Sequence, residues 1–171
     1  MEYLVRDNGT VIVTGSIDLT GTKLPELPRF GMRMELHQPY ENLTYYGRGP
    51  FENYIDRYSG AFIGRYEDKV ENQFYWYIRP QETGNKTDVR WLTLLDSGGL
   101  GVKITGLQPI SFSALHFSPE DLDPGLTRKL QHTIDIVPQK NIFLHVDLKQ
   151  RGLGGDNSWG TVSYTHLTLP T

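Results

Sequence analysis

Five histidines, a scatter of carboxylates and two glycine-rich stretches are the residues with which this 171-residue chain could do chemistry. His37, His116, His132, His145 and His166 show no pair at the i, i+4 spacing of a helical metal site. His145 and Asp147 stand two apart and share one face of a strand, where they could hold a metal or relay a proton. One pair is too few ligands, so a solvated or hydrogen-bonded strand pair is the favoured reading. Glu52 and Asp56 lie in an ordered-looking loop with Asn53, Tyr54 and Arg57. Two flanking carboxylates are what cleavage of a glycosidic bond needs. Loop charges paired with arginine or bonded to backbone are commoner, so a locking role for this loop is favoured over catalysis. Gly98-Gly99-Leu100-Gly101 lacks a lysine and a following helix, which makes it a hairpin turn and not a phosphate loop. No Gly-x-Ser-x-Gly elbow occurs.

The stretch Gly152 to Trp159 is of another kind. Its glycines free the backbone, and Asp156, Asn157 and Ser158 supply short polar groups beside Trp159. Sets of this type bind sugars: an indole face stacks on the C–H face of a pyranose while polar groups take hydroxyls. A turn whose tryptophan plugs the core fits the local chemistry equally well. Tyr45, Tyr46, Tyr54, Tyr58, Phe74, Tyr75, Trp76, Tyr77 and Trp91 could line a carbohydrate groove, although aromatic residues favour strands and cores in any case.

Composition narrows the field. A net charge of -3 and a pI near 5.9 leave no basic face for phosphates, so nucleic acid is not an expected partner. The absence of cysteine removes disulfides, thiolate nucleophiles and cysteine-ligated zinc. No apolar run reaches the roughly 18 residues of a membrane span. Met1 to Arg6 lacks the basic start and apolar core of a signal peptide, so the cytoplasm is the expected compartment, unless a signal lies upstream of Met1. Asn42-Leu43-Thr44 and Asn85-Lys86-Thr87 match the glycosylation triplet, by coincidence on this reading.

The elements that must position these residues are strands. Eighteen glycines and ten prolines are spread between short β-branched and aromatic runs, the pattern of an antiparallel β protein. Asp7-Asn8-Gly9 marks a hairpin between Glu2–Arg6 and Thr10–Leu19. Further strands are predicted at Arg29–His37, Asn42–Gly47, Phe74–Ile78, Asp88–Asp96, Leu100–Thr105, Ile110–Phe117 and Asn141–Lys149, with an ordered loop over Arg48–Tyr58. Ser118-Pro119-Glu120-Asp121 starts a helix of a single turn, and a second short helical piece is predicted at Thr127–His132.

Five segments, in order, resemble the C-terminal small-chain domain of glycoside hydrolase family 2 β-galactosidases. They are Pro28–Met32, Tyr46–Arg57 (Tyr-Gly-Arg-Gly-Pro-Phe-Glu-Asn-Tyr-Ile-Asp-Arg), Pro80–Trp91, Ser113–Phe117 and His145–Trp159. The resemblance covers about residues 1–160 and implies an all-β fold, an antiparallel β-sandwich of the galactose mutarotase-like (supersandwich) kind. It also implies hydrolysis of terminal β-galactosides such as lactose with retention, by two glutamates on a separate barrel domain. The sandwich lends the substrate site one loop. Trp159, with Asp156 and Asn157, matches that loop, whereas the Gly-Arg-Gly-Pro and Pro-Gln-Glu-Thr-Gly segments correspond to scaffold.

The expectation is therefore a small-chain-like sandwich over 1–160, truncated at both ends, followed by an atypical, artefactual tail at 161–171. It is inactive alone and has no catalytic residue, cofactor or metal ligand of its own. Magnesium and sodium would belong to the complete enzyme. The expected partners are a galactoside, the remaining domains or large chain, and a second copy in the complete enzyme. A stand-alone carbohydrate-binding module is the alternative.

Overall fold

A computed structural model describes residues 1–21, 23, 27–123 and 131–154. Strands β1 (Glu2–Val5) and β2 (Val11–Thr14) form a two-stranded hairpin. Its turn uses Asn8 and Gly9 as expected: Gly9 takes φ 81°, its N–H donates to the Arg6 carbonyl, and the Asn8 side chain accepts from the Thr10 N–H. β2 ends at Thr14, short of the predicted Leu19.

The other strands are β3 (Arg29–Leu36), β4 (Asn42–Gly49), β5 (Phe62–Lys69), β6 (Lys86–Leu95), β7 (Gly101–Leu115) and β8 (Ile142–Gln150). They pair antiparallel in one sheet of order β3-β8-β7-β6-β4-β5. The chain is all-β, and its two antiparallel sheets make the sandwich-like arrangement that the resemblance implies.

The main core is one face of the larger sheet. Met32, Met34 and Leu36 lie opposite Val146, Leu144 and Ile142, and Val146 and Leu144 face Phe112 and Ala114 of β7 in turn. Leu92 and Leu94 are flanked by Ile104 and Val102 on one side and Tyr45 and Leu43 on the other. The Tyr45 and Phe112 rings meet edge to face at 5.3 Å, a favoured aromatic geometry. Each fully buried aliphatic side chain in this layer contributes about 2 kcal/mol by leaving water. On the opposite face Phe74, Leu115, Phe117, Leu122 and Ile136 form a second cluster. Leu122 comes from α1 (Pro119–Leu122), the predicted single turn, which is capped reciprocally by Ser118 and Asp121.

Three expectations fail. Phe74–Ile78 is not a strand: the Tyr75 N–H is taken by the Thr83 hydroxyl, and Phe74 turns in against Phe117 at 4.4 Å. Side chains satisfy this backbone, so no ladder forms. β5 went unread because its Arg65, Glu67, Asp68 and Lys69 are typical of a charged sheet edge, and it pairs with β4 along its whole length. The two strands predicted at 100–105 and 110–117 are one, β7, which runs through its exposed middle. Most of the helical piece predicted at Thr127–His132 lies outside the described residues, and a 3₁₀ turn stands at Thr133–Asp135.

Candidate functional site

The loop after β4 is built around one amide. Asn53 is 1% exposed. Its Nδ2 donates to the carbonyls of Arg48 (3.1 Å) and Phe51 (3.0 Å), and its Oδ1 accepts from the Thr87 N–H (2.9 Å) and hydroxyl (2.5 Å). Its own N–H reaches the Asn85 carbonyl, and its carbonyl accepts from Asn85 Nδ2, both at 2.8 Å. Every valence of the side chain is used, and the loop is stapled to the start of β6.

Glu52 is saturated in the same way. Oε1 accepts from Arg57 Nη2 (3.0 Å) and the Tyr77 hydroxyl, and Oε2 from the Thr83 hydroxyl (3.0 Å) and the Gly84 N–H (2.7 Å). The Arg57 guanidinium also lies 5.1 Å from the centre of the Tyr54 ring. Burial and the neighbouring Glu52 push the Tyr77 phenol up to about 12. A carboxylate that already holds four donors is a structural anchor, so the favoured reading of Glu52 agrees with the geometry. Tyr77 was read from the sequence only as one of the groove aromatics, and Thr83 and Gly84 only as part of the Pro-Gln-Glu-Thr-Gly segment, none of them as a partner of Glu52. Thr83 and Gly84 of the Pro-Gln-Glu-Thr-Gly segment are thus held by Glu52, and the Arg48 carbonyl of the Gly-Arg-Gly-Pro segment by Asn53.

Asp56, at the far end of this loop, faces elsewhere. Its Oδ2 accepts from the Gly154 N–H at 2.7 Å. Gly152 passes so close that a Cβ there would overlap the Asp56 carboxyl group. Gly154 itself takes φ 69°. These two glycines begin the stretch in which the sequence places a sugar loop. Asp156, Asn157 and Trp159 lie outside the described residues.

His145 and Asp147 do share a face of β8, and Arg29 lies against both. Arg29 Nη1 is 2.6 Å from His145 Nδ1, and Nε is 3.5 Å from Asp147 Oδ2. Since the guanidinium can only donate, Nδ1 accepts and the imidazole is neutral. Burial, with Arg29 and Arg33 beside it, lowers the His145 pKa to about 4. Burial raises that of Asp147 to about 6, against the pull of Arg29. Glu82 approaches Arg29 at 3.2 Å from the other side. His145 and Asp147 are joined through Arg29, which hydrogen-bonds the imidazole and pairs in charge with the carboxylate, a third member that sequence spacing could not supply.

A cleft of about 240 Å³ opens beside His145, lined by Leu115, Phe117 and Leu122 together with Gln81, Glu82 and Ser113. Among the described residues no three His, Asp or Glu side chains converge as a metal site would require. A guanidinium lodged against His145 and Asp147 does not fit a bound cation, so the magnesium and sodium of the expected complete enzyme find no holder in this pair. No helix among the described residues is long and apolar enough to cross a membrane.

Residues 1–171 match the family described as beta galactosidase small chain. The chain is 36% identical over 98% of its length to a β-galactosidase of Priestia megaterium and, over the same share, to one of Streptococcus thermophilus. It is 35% identical over 98% of its length to a β-galactosidase of Lactobacillus delbrueckii subsp. bulgaricus. In each case it spans about 16% of the relative's length. A sheet built on the Tyr46–Arg57 and Pro80–Trp91 segments, matched from end to end by this family, leaves one assignment: the chain belongs to the β-galactosidase small-chain family.

Proposed function

We propose that this chain serves as the small-chain domain of a β-galactosidase and presents the segment after Gly154 to a bound galactoside. In this reading Trp159 stacks on the sugar, and Asp156 and Asn157 take its hydroxyls. The observation that carries the reading is the family match over the whole chain. The clamp of Asp56 on Gly154 supports it, because a contact loop needs a fixed root. Glu52 has no lone pair to spare, which agrees with catalytic carboxylates residing elsewhere.

The glutamates of the reaction then belong to a barrel domain among the remaining domains of the enzyme, which are this chain's partners. The bond would be cleaved by double displacement, through a glycosyl-enzyme intermediate and with retention. The chain alone is inactive on galactosides. Magnesium and sodium, where the enzyme uses them, are held outside this chain.

The test is kinetic. In the enzyme assembled with this chain, Trp159→Ala raises KM for lactose about tenfold, equivalent to about 1.4 kcal/mol of lost sugar contact. An unchanged KM removes Trp159 from the site. Hydrolysis of a chromogenic galactoside by the chain alone would overturn the placement of catalysis elsewhere.

A further inference from the structure

We infer that Asp56 is a positioning residue of this domain: its carboxylate fixes the root of the segment that carries Trp159. The inference rests on the proposed role of that segment in sugar contact. It also makes a separate claim about what holds the segment in place.

The last part of the sheet to guide the chain is the end of β8. Gln150 pairs with Arg29, and the Arg151 N–H still reaches the Pro28 carbonyl at 3.0 Å. Beyond that point the chain turns away on glycines, which supply no side chain to pack. The Gly154 N–H has left the sheet, and Asp56 Oδ2 receives it at 2.7 Å. A bond from an amide to a carboxylate is charge-assisted, among the stronger kinds available to a turning backbone. The bare Cα of Gly152 lets the backbone lie against the same carboxyl group, where any larger residue would displace it. Both contacts converge on one side chain.

Asp56 can act as a fixed point because its own loop is rigid. Tyr54 and Arg57 bridge across it with paired backbone hydrogen bonds at 3.3 and 2.9 Å. Asn53 and Glu52, three and four residues before Asp56, are tied into the 83–87 segment by the bonds described above. The other oxygen of Asp56, Oδ1, is buried and has no hydrogen-bond partner among the described residues. It keeps acceptor capacity at the point where the segment departs. Trp159 follows Gly154 by five residues in the sequence.

The experiment uses the full chain with Trp159 as its single tryptophan, in a Trp76→Phe/Trp91→Phe background. Acrylamide quenching and time-resolved anisotropy then report on Trp159 alone. Asp56→Ala is expected to raise the quenching constant about twofold and lower the residual anisotropy. Asp56→Asn keeps a carbonyl acceptor in the same place and is expected to restore most of both. Gly152→Ala, which pushes on the carboxyl from the other side, should resemble Asp56→Ala. Val89→Ala, a core truncation remote from the loop, controls for general destabilisation and should leave Trp159 quenching unchanged. If Asp56→Ala leaves quenching and anisotropy unchanged, or Val89→Ala alters them equally, the positioning role is overturned whatever the sugar does. If Asp56→Ala loosens Trp159 while KM for lactose in the assembled enzyme stays constant, the anchor stands and the sugar-contact reading falls.

Discussion

Asn53→Asp exchanges one NH₂ for one oxygen and changes almost no volume, so its effect isolates the hydrogen bonds. In the native loop Nδ2 donates to the Arg48 and Phe51 carbonyls at 3.1 and 3.0 Å inside a residue that is 1% exposed. An ionised Asp would set an anionic oxygen against both carbonyls. Each carbonyl left without its donor costs about 1–3 kcal/mol. The new carboxylate cannot leave for water, so it protonates instead, which restores one of the two bonds. The expected loss is about 6 kcal/mol at pH 7, about 2 from the lost bond and about 4 from holding a proton three pH units above the unfolded pKa, shrinking to about 2 kcal/mol near pH 4. The sign follows from the raised folded-state pKa of the introduced acid: its cost is absent below the unfolded value near 3.9 and grows as pH rises past it. Urea unfolding followed by tryptophan fluorescence, at constant m-value, measures both numbers. A loss below about 1 kcal/mol at pH 7, or one that does not shrink in acid, would refute the claim that Asn53 organises this loop.

Two further outcomes follow from buried charges. Lys86 is 2% exposed, its Nζ donates to the Gly84 carbonyl at 3.2 Å, and burial lowers its pKa to about 8. Its cost is thus fully present below pH 8 and relieved as pH climbs toward its ordinary value. Lys86→Met should stabilise the domain by about 1–3 kcal/mol at pH 7, with the gain fading by pH 10; a loss at pH 7 would contradict this. The His145 and Asp147 pair gives opposed slopes. The contribution of His145, folded pKa about 4, is full above 6.5 and drains as pH falls. The cost of Asp147, folded pKa about 6, is absent below 3.8 and full above 6. His145→Gln should therefore leave stability falling as pH rises from 4 to 6, and Asp147→Asn should leave it rising, by no more than about 1.4 kcal/mol per pH unit each. Slopes of the same sign in both variants would refute the assignment.

How much of this was legible in the sequence depends on where each signal is stored. The hairpin turn at Asn8-Gly9 and the Ser118 cap are local, and both stand as read. β5 stayed hidden because an edge strand needs no alternating apolar face, so Phe62–Lys69 carries charge where a core strand would carry valine. Phe74–Ile78 misled in the opposite sense. Its aromatic run matches strand propensity, but the Thr83 hydroxyl and the Phe117 ring, both far along the chain, decide its conformation. The site divides in the same way. Asn53, Glu52 and Asp56 announced themselves as a cluster. Their partners Gly84, Thr87 and Gly154 did not, because a backbone N–H is carried by every residue but proline and marks none.

The same contrast explains why the sequence could not separate the two acids of the Glu52–Arg57 loop. They are four residues apart, of like chemistry and in one loop with Arg57. What distinguishes them is occupancy. Glu52 accepts from four donors, three on the segment from Tyr77 to Gly84 and the fourth on Arg57. A fifth group could bind only by displacing one of these. Asp56 holds Gly154 on one oxygen and keeps the other buried with no partner among the described residues. The closed acid fixes the loop, and the open acid uses that fixity to hold a second chain segment. A loop with both kinds passes rigidity from the sheet to the glycines after β8, and that transfer requires the two carboxylates to differ in what they hold.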